Sequence, residues 1–305
     1  MAALGLITTQ KTHVLRFGEL DFNRGRPRRA APTVRSITTK MLQITSRDNS
    51  LLREARAVRD GKIDELIFVE GLRLCEEAFR SKLEIEVVIA SDELLRKDRA
   101  AIAIAELSHV SKRSASVTER LLASISYTKT PQGIVVLARR PVSSEKRLAE
   151  SLHPHSLLVV LHQINNPVNV GAILRTSEAA GASGVITTQD TSDPFSPKSL
   201  RGAMGSAFRL PIWRGPSYTT TIEWCRTRGI VTVCADVGGT MAYTTFDWTG
   251  ARALFLGPES TGFTLEELMQ ADHAVTIPMH GRAESLNVSV AAGIFLFEAA
   301  RQRQS

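Results

Sequence analysis

The chain has 305 residues, of which 43% are hydrophobic, 23% charged and 6% aromatic. That length can bury a core in one large domain or two ordinary ones, and the apolar fraction excludes general disorder. The most apolar uncharged run, Ser285 to Phe297, falls well short of the roughly 20 residues that a bilayer span needs, so no membrane partner is expected.

Cys75, Cys225 and Cys234 are odd in number and form no Cys-x-x-Cys, which argues against a disulfide framework and fits a reducing compartment. The formal net charge of +7 is unevenly spread. Residues 1–40 carry eight Lys/Arg against Glu19 and Asp21, a net +6, whereas residues 41–150 are +2 and residues 151–305 are −1. Global charge therefore gives no argument for a nucleic-acid partner, and local patches must supply one.

Residues 1–40 show no sustained period and end in Arg24, Arg26, Arg28, Arg29 and Arg35. This composition allows a transit peptide or a nucleic-acid arm, and the plainer reading is a disordered basic extension or a translation start placed too early. From Asn49 the pattern turns helical. Leu51, Leu52, Ala55 and Val58 share one face, Leu66–Val69 reads as a buried strand, and Leu72, Cys75, Ala78 and Phe79 mark the next helix. A strand is expected at 85–90. Ser116-Val117-Thr118-Glu119 reads as a capping box opening a helix through Ile125, and a strand at 133–138 closes a small α/β unit. Pro141 to Lys146 is the natural linker, giving domains at 41–142 and 143–305.

The second unit predicts strands at 157–161, 184–187, 208–213, 230–235, 253–257 and 274–277, with helices between them and a last helix from about Asn287 to Gln302. Alternation of this kind implies a mostly parallel sheet covered on both faces. Ligands in such sheets sit beyond the carboxyl ends of the strands, and three segments stand out there.

The first segment is Asn165-Asn166-Pro167-Val168-Asn169-Val170-Gly171-Ala172-Ile173-Leu174-Arg175-Thr176. Asn169 is placed to cap a helix ending near Gly181, and the ordinary fate of Arg175 is an exposed pair with Glu178 at i,i+3. The second is Leu254 to Gly262, an apolar strand running into Gly257-Pro258-Glu259, with Thr264 expected to cap the helix beyond. The third is Ile277-Pro278-Met279 followed by Ser285-Leu286-Asn287 and a helix apolar on nearly every side, which must be buried in a core or a subunit contact. Taken singly, Ser285 and Asn287 read as N-cap residues. Other chemistries lack their signatures. There is no Gly-x-Gly-x-x-Gly, Walker loop or Gly-x-Ser-x-Gly elbow, and Asp236-Val237-Gly238-Gly239 is a poor substitute for the first. His153, His155 and His162 read as surface or strand-end residues, with no metal implied.

Together, and in this order, the three segments resemble the motifs of the SpoU-type RNA 2′-O-ribose methyltransferases of the SPOUT class, over roughly residues 157–302. Lys198 to Phe208 is similar to the family's segment between its first two motifs. Thr45 to Asn49 with Phe68-Val69-Glu70-Gly71 resembles the start of a substrate-binding domain similar to ribosomal protein L30e. The resemblance implies an α/β chain: a C-terminal parallel-sheet SPOUT domain with a trefoil knot, preceded by a smaller L30e-like α/β domain. It implies S-adenosylmethionine as cofactor, held by Leu256, Gly257, Ile277, Met279 and Leu286, and a polar site of Asn169, Arg175, Glu259, Ser285 and Asn287; within that site Glu259 is expected to hold the arginine in place. It also implies a cytoplasmic homodimer acting on RNA, ribosomal RNA ahead of transfer RNA. RNA affinity is expected from Arg47, Arg53, Arg56 and Arg59. The rivals are a transfer-RNA 2′-O-methyltransferase, a non-catalytic RNA-binding protein of the same fold, and a nucleotide-dependent enzyme such as a dehydrogenase.

Overall fold

The computed structural model describes residues 41–304, and the expectations for residues 1–40 lie outside that range. In chain order, β1 (Leu42–Ile44) and α1 (Ser50–Arg59) precede β2 (Leu66–Glu70), α2 (Leu72–Arg80) and β3 (Ile85–Ser91). Then follow α3 (Asp92–Leu95), α4 (Asp98–Val110), β4 (Arg113–Val117), α5 (Glu119–Ile125) and β5 (Ile134–Arg139). The five strands form one mixed sheet in the order β1-β4-β3-β5-β2, with β5 antiparallel to both β2 and β3. Its α1 face packs as expected: Leu51, Leu52, Ala55 and Val58 are all buried. The predicted capping box is displaced. Ser116 and Val117 belong to β4, and Thr118 is the N-cap, accepting from the Leu121 amide. Backbone pairing of Ser116 with Ala90 and Gln43 takes precedence over the local cap.

The second series is α6 (Glu145–Ala149), β6 (Leu157–Leu161), α7 (Pro167–Ala179), β7 (Gly184–Thr187), α8 (Pro197–Ala203), α9 (Ser206–Arg209), β8 (Ile212–Arg214) and α10 (Tyr218–Arg226). It continues with β9 (Val231–Ala235), β10 (Met241–Ala242), β11 (Arg252–Leu256), α11 (Leu265–Gln270), β12 (His273–Thr276) and α12 (Val288–Arg303). These strands build a seven-stranded sheet, β10-β12-β9-β11-β6-β7-β8, in which every pair is parallel. Every residue of β6 and all four residues after Arg252 in β11 are no more than 1% exposed, as expected of strands covered on both faces.

Two local expectations differ from the structure. The stretch 208–213 is not one strand: Ser206–Arg209 is helical and β8 starts only at Ile212. Met204 and Gly205 adopt left-handed conformations that end α8, and Pro211 has no amide to give to a ladder. The cap of α7 is Asn166, whose side chain accepts from Val168 N with Pro167 in the first turn, so Asn169 lies inside the helix and is buried. Glu178, the ordinary i,i+3 partner of a helical Arg175, is bonded instead to Arg209 and Ser206.

One apolar cluster extends from Ile67 and Val69 of β2 through Leu200 and Ala203 of α8 to Leu254 of β11. At the end of β5, Arg140 Nη1 donates to both oxygens of Asp193 at 3.0 and 2.9 Å. Among the described residues no helix is long and apolar enough to cross a membrane.

Candidate active site

The parallel sheet delivers three chain ends to one place. β9 ends at Ala235 and continues into Asp236; β11 ends at Leu256 and turns through Gly257-Pro258-Glu259; β12 ends at Thr276 and continues into Ile277. Between them and the start of α12 lies a cavity of about 570 Å³. Leu256, Gly257, Glu259, Ile277, Met279, Ser285, Leu286 and Asn287, all expected from the sequence, line it. Gly257 is required by packing, because a Cβ there would come within 2.8 Å of the Phe263 ring. Asn287 caps α12, its Oδ1 accepting from Ser289 N at 2.9 Å.

Asn169 reaches this rim from the first turns of α7. Its Nδ2 donates to Glu259 Oε1 at 2.6 Å, and Asn287 Nδ2 donates to its Oδ1 at 3.4 Å. The three motifs thus meet in one hydrogen-bonded chain, Asn287–Asn169–Glu259. Glu259 was expected to hold Arg175; its partner is Asn169. Arg175 does not line the cavity, and it makes no hydrogen bond or ion pair among the described residues. It stands exposed on α7, on the side away from the buried Leu174 and Ser177.

Sequence reasoning passed over Asp236, Phe263 and Glu284, which also line the cavity. Asp236 follows a buried strand and precedes two glycines, the available signal. Its Oδ1 accepts from Gly238 N at 2.8 Å. Behind Phe263 lies His162, at the end of β6 as expected but only 3% exposed, so the surface reading is corrected. Its Nε2 faces Glu267 Oε1 at 2.8 Å and its Nδ1 faces Thr188 Oγ1 at 3.0 Å. Burial works to raise the Glu267 carboxyl, but the Thr264 amide and His162 outweigh it and hold the group below its ordinary range. Glu267 also completes the capping box with Thr264, so this pair fixes the start of α11 beside the cavity.

The cavity is acidic in character. Asp236, Glu259 and Glu284 are on its wall, with no Lys, Arg or His among its lining residues, which suits a ligand carrying positive charge. Among the described residues, no group of three or more His, Cys, Asp or Glu is placed to hold a metal ion. The four candidate RNA-binding arginines sit apart from the cavity and are not equivalent. Arg47 and Arg53 are exposed. Arg56 Nη2 donates to Arg47 O at 2.9 Å, and Arg59 donates to Asp60 and to the Ile125 and Ser126 carbonyls at the end of α5.

Residues 156–297 match the model of the SpoU rRNA methylase family, and residues 52–136 match that of the MRM3-like substrate-binding domain. The crystal structure of an AdoMet-bound rRNA methyltransferase from Sinorhizobium meliloti is 30% identical to this chain, at a TM-score of 0.76. That match covers 86% of this chain and 98% of the other. The chain belongs to the SpoU rRNA methylase family. An uncharacterized tRNA/rRNA methyltransferase of Synechocystis is 29% identical over 88% of this chain and 96% of its own length. The 23S rRNA (uridine(2479)-2′-O)-methyltransferase of Streptomyces viridochromogenes is 34% identical over 58% of this chain and 63% of its own. As a SpoU-family member the protein is an RNA methyltransferase, with a mixed α/β fold built on a parallel sheet, as the sequence led us to expect.

Proposed function

We propose that this SpoU-family enzyme transfers a methyl group from S-adenosylmethionine to a ribose 2′-hydroxyl of ribosomal RNA. The observation that carries the reading is the Asn287–Asn169–Glu259 chain on the rim of the acidic cavity. The residues fit the cofactor. The volume is within the range of about 300–1,000 Å³ typical of small-molecule sites, the wall mixes Leu256, Ile277 and Leu286 with exposed turn backbone, and its carboxylates suit a cation. When bound, S-adenosylmethionine supplies a methyl group on a positively charged sulfur.

The protein's contribution is alignment and charge. Ser285 and Asn287 orient the hydroxyl, and Asn169 fixes both Asn287 and Glu259. Arg175 has a planar fork of donors and no acceptor, which makes it a poor base and a good ligand for a phosphate or a forming alkoxide. The reading divides the chain into a substrate-binding domain at 41–142, held to RNA by Arg47 and Arg53 with Arg56 and Arg59 behind them, and a knotted methyltransferase domain at 143–305. It places the enzyme in the cytoplasm as a homodimer. Val168, Val290 and Phe297 are 45%, 52% and 54% exposed on α7 and α12, a surface that a second copy would cover.

Ribosomal RNA is favoured by the match of residues 156–297 to the SpoU rRNA methylase family and by the named activity of the Streptomyces relative. The test is to titrate the protein with S-adenosylmethionine and then to offer ribosomal and transfer RNA from a strain lacking it, using a labelled methyl donor. Label confined to ribosomal RNA is the expected result. Label confined to transfer RNA selects the tRNA alternative, and an absence of cofactor binding selects a non-catalytic RNA-binding role.

A further inference from the structure

Glu178 lies at i+3 from Arg175 on α7, the spacing at which opposite charges on a helix normally pair. It is occupied elsewhere. Arg209 Nε and Nη2 donate to Glu178 Oε1 and Oε2 at 2.5 and 2.9 Å, a two-point fork, and Ser206 Oγ adds a bond to Oε2 at 2.6 Å. The remaining guanidinium nitrogen, Nη1, donates to Glu77 Oε2 on α2 at 2.6 Å, so Arg209 is anchored from both sides. Gly205 lets this seat form: its φ is +96°, and a Cβ there would meet Glu77 Cβ and Arg209 Nη1 at 2.9 Å.

We infer that Arg209 is a positioning residue for Arg175, engaging Glu178 so that the neighbouring guanidinium stays free for RNA. Two opposed guanidinium groups compete for one carboxylate. The one on α9 wins because it is held in a fixed two-point geometry, whereas an Arg175–Glu178 pair would have to immobilise an exposed side chain. Arg209 and Glu178 both shift toward their charged forms, Arg209 because Glu178 accepts its hydrogen bonds and Glu178 because Arg209 donates them. Removing Arg209 would free Glu178 to capture Arg175 and lower its availability in turnover. The inference rests on the proposed role of Arg175 in the methyl transfer.

The test compares Arg209→Ala, Arg209→Ala/Glu178→Gln and Arg209→Ala/Glu77→Gln in the full chain. Each is assayed for kcat on ribosomal RNA from a strain lacking the enzyme and for S-adenosylmethionine affinity, with Arg175→Ala alongside. An exposed helical ion pair is weak, so the Arg209→Ala loss in kcat should be roughly two- to fivefold and shrink at high salt. Cofactor affinity should not change. Adding Glu178→Gln should restore kcat, while adding Glu77→Gln should not. If the packing of Arg209 were all that mattered, Glu178→Gln would give no recovery. If relief of repulsion between Glu77 and Glu178 were the cause, Glu77→Gln would rescue equally. Either outcome overturns the inference. Normal turnover by Arg175→Ala would instead remove the role of Arg175 on which the inference rests.

Discussion

Asn169 donates its side-chain amide to Glu259 Oε1 at 2.6 Å, joining a helix interior to a strand-end turn across 90 residues of sequence. A neutral donor and a carboxylate are complementary here, and two carboxylates would not be. Asn169→Asp should therefore lower turnover by roughly 10- to 100-fold at pH 8, the equivalent of a hydrogen bond to a charged group worth about 1.5–3 kcal/mol. The facing carboxyls would share a proton, so part of the activity should return as pH falls. A pH–rate profile of the variant parallel to that of the wild type would count against this geometry.

The position of Asn169 depends on how closely α7 crosses α8. At Gly171 a Cβ would lie 2.4 Å from Ser199 O and 2.9 Å from Gly202 Cα, both of them backbone atoms that cannot swing aside. Gly171→Ala should destabilise the fold by about 1–3 kcal/mol, as overpacking generally does, and should reduce turnover because Asn169 is displaced with the helix. Denaturant unfolding checks the first effect, and an unchanged midpoint would mean that the helices separate freely.

Glu178 makes stability depend on pH. Arg209, opposed by burial and assisted by Ser206, holds its carboxyl below the ordinary 4.5. A depressed carboxylate contributes stability that is present above the unfolded value and lost as pH falls through the folded one. The melting temperature of Glu178→Gln should therefore lie below that of the wild type at pH 7, and the gap should close as pH is lowered beneath about 4.5. A gap no narrower at pH 3 than at pH 7 would show that the charge is not responsible.

The arginines of α1 should separate into two kinds. Arg53→Ala should weaken RNA binding with little change in melting, and should reduce the salt slope by roughly one counterion. Arg59→Ala should mainly lower stability, since that side chain supports the carbonyls of Ile125 and Ser126. Equal losses of RNA affinity in both variants would contradict the division.

Most of the buried strands are legible because they are written as apolar runs, such as Leu157–Leu161, that end where the motifs begin, whereas β1, β4 and β10 are not and β8 starts later than its apolar run suggests. The cavity wall was legible for the same reason: Leu256, Ile277 and Leu286 adjoin strand ends or a helix start. Partners across long sequence gaps were not. Nothing near Glu178 reveals that Arg209 will outcompete Arg175 for it, and nothing near His162 reveals Glu267, because both pairings are products of topology. Local rules also failed where tertiary pairing was stronger, at Ser116 within β4, and where two cap candidates stood close together, at Asn166 and Asn169.

The most direct test is methyl transfer to the mapped target RNA with a single 2′-deoxy nucleotide at the modified position. If Asn169, Glu259 and Asn287 align a ribose hydroxyl with the donor, that one missing oxygen abolishes labelling while RNA binding is retained. Undiminished labelling of the deoxy substrate would place the methyl group on a base and contradict the proposed reaction.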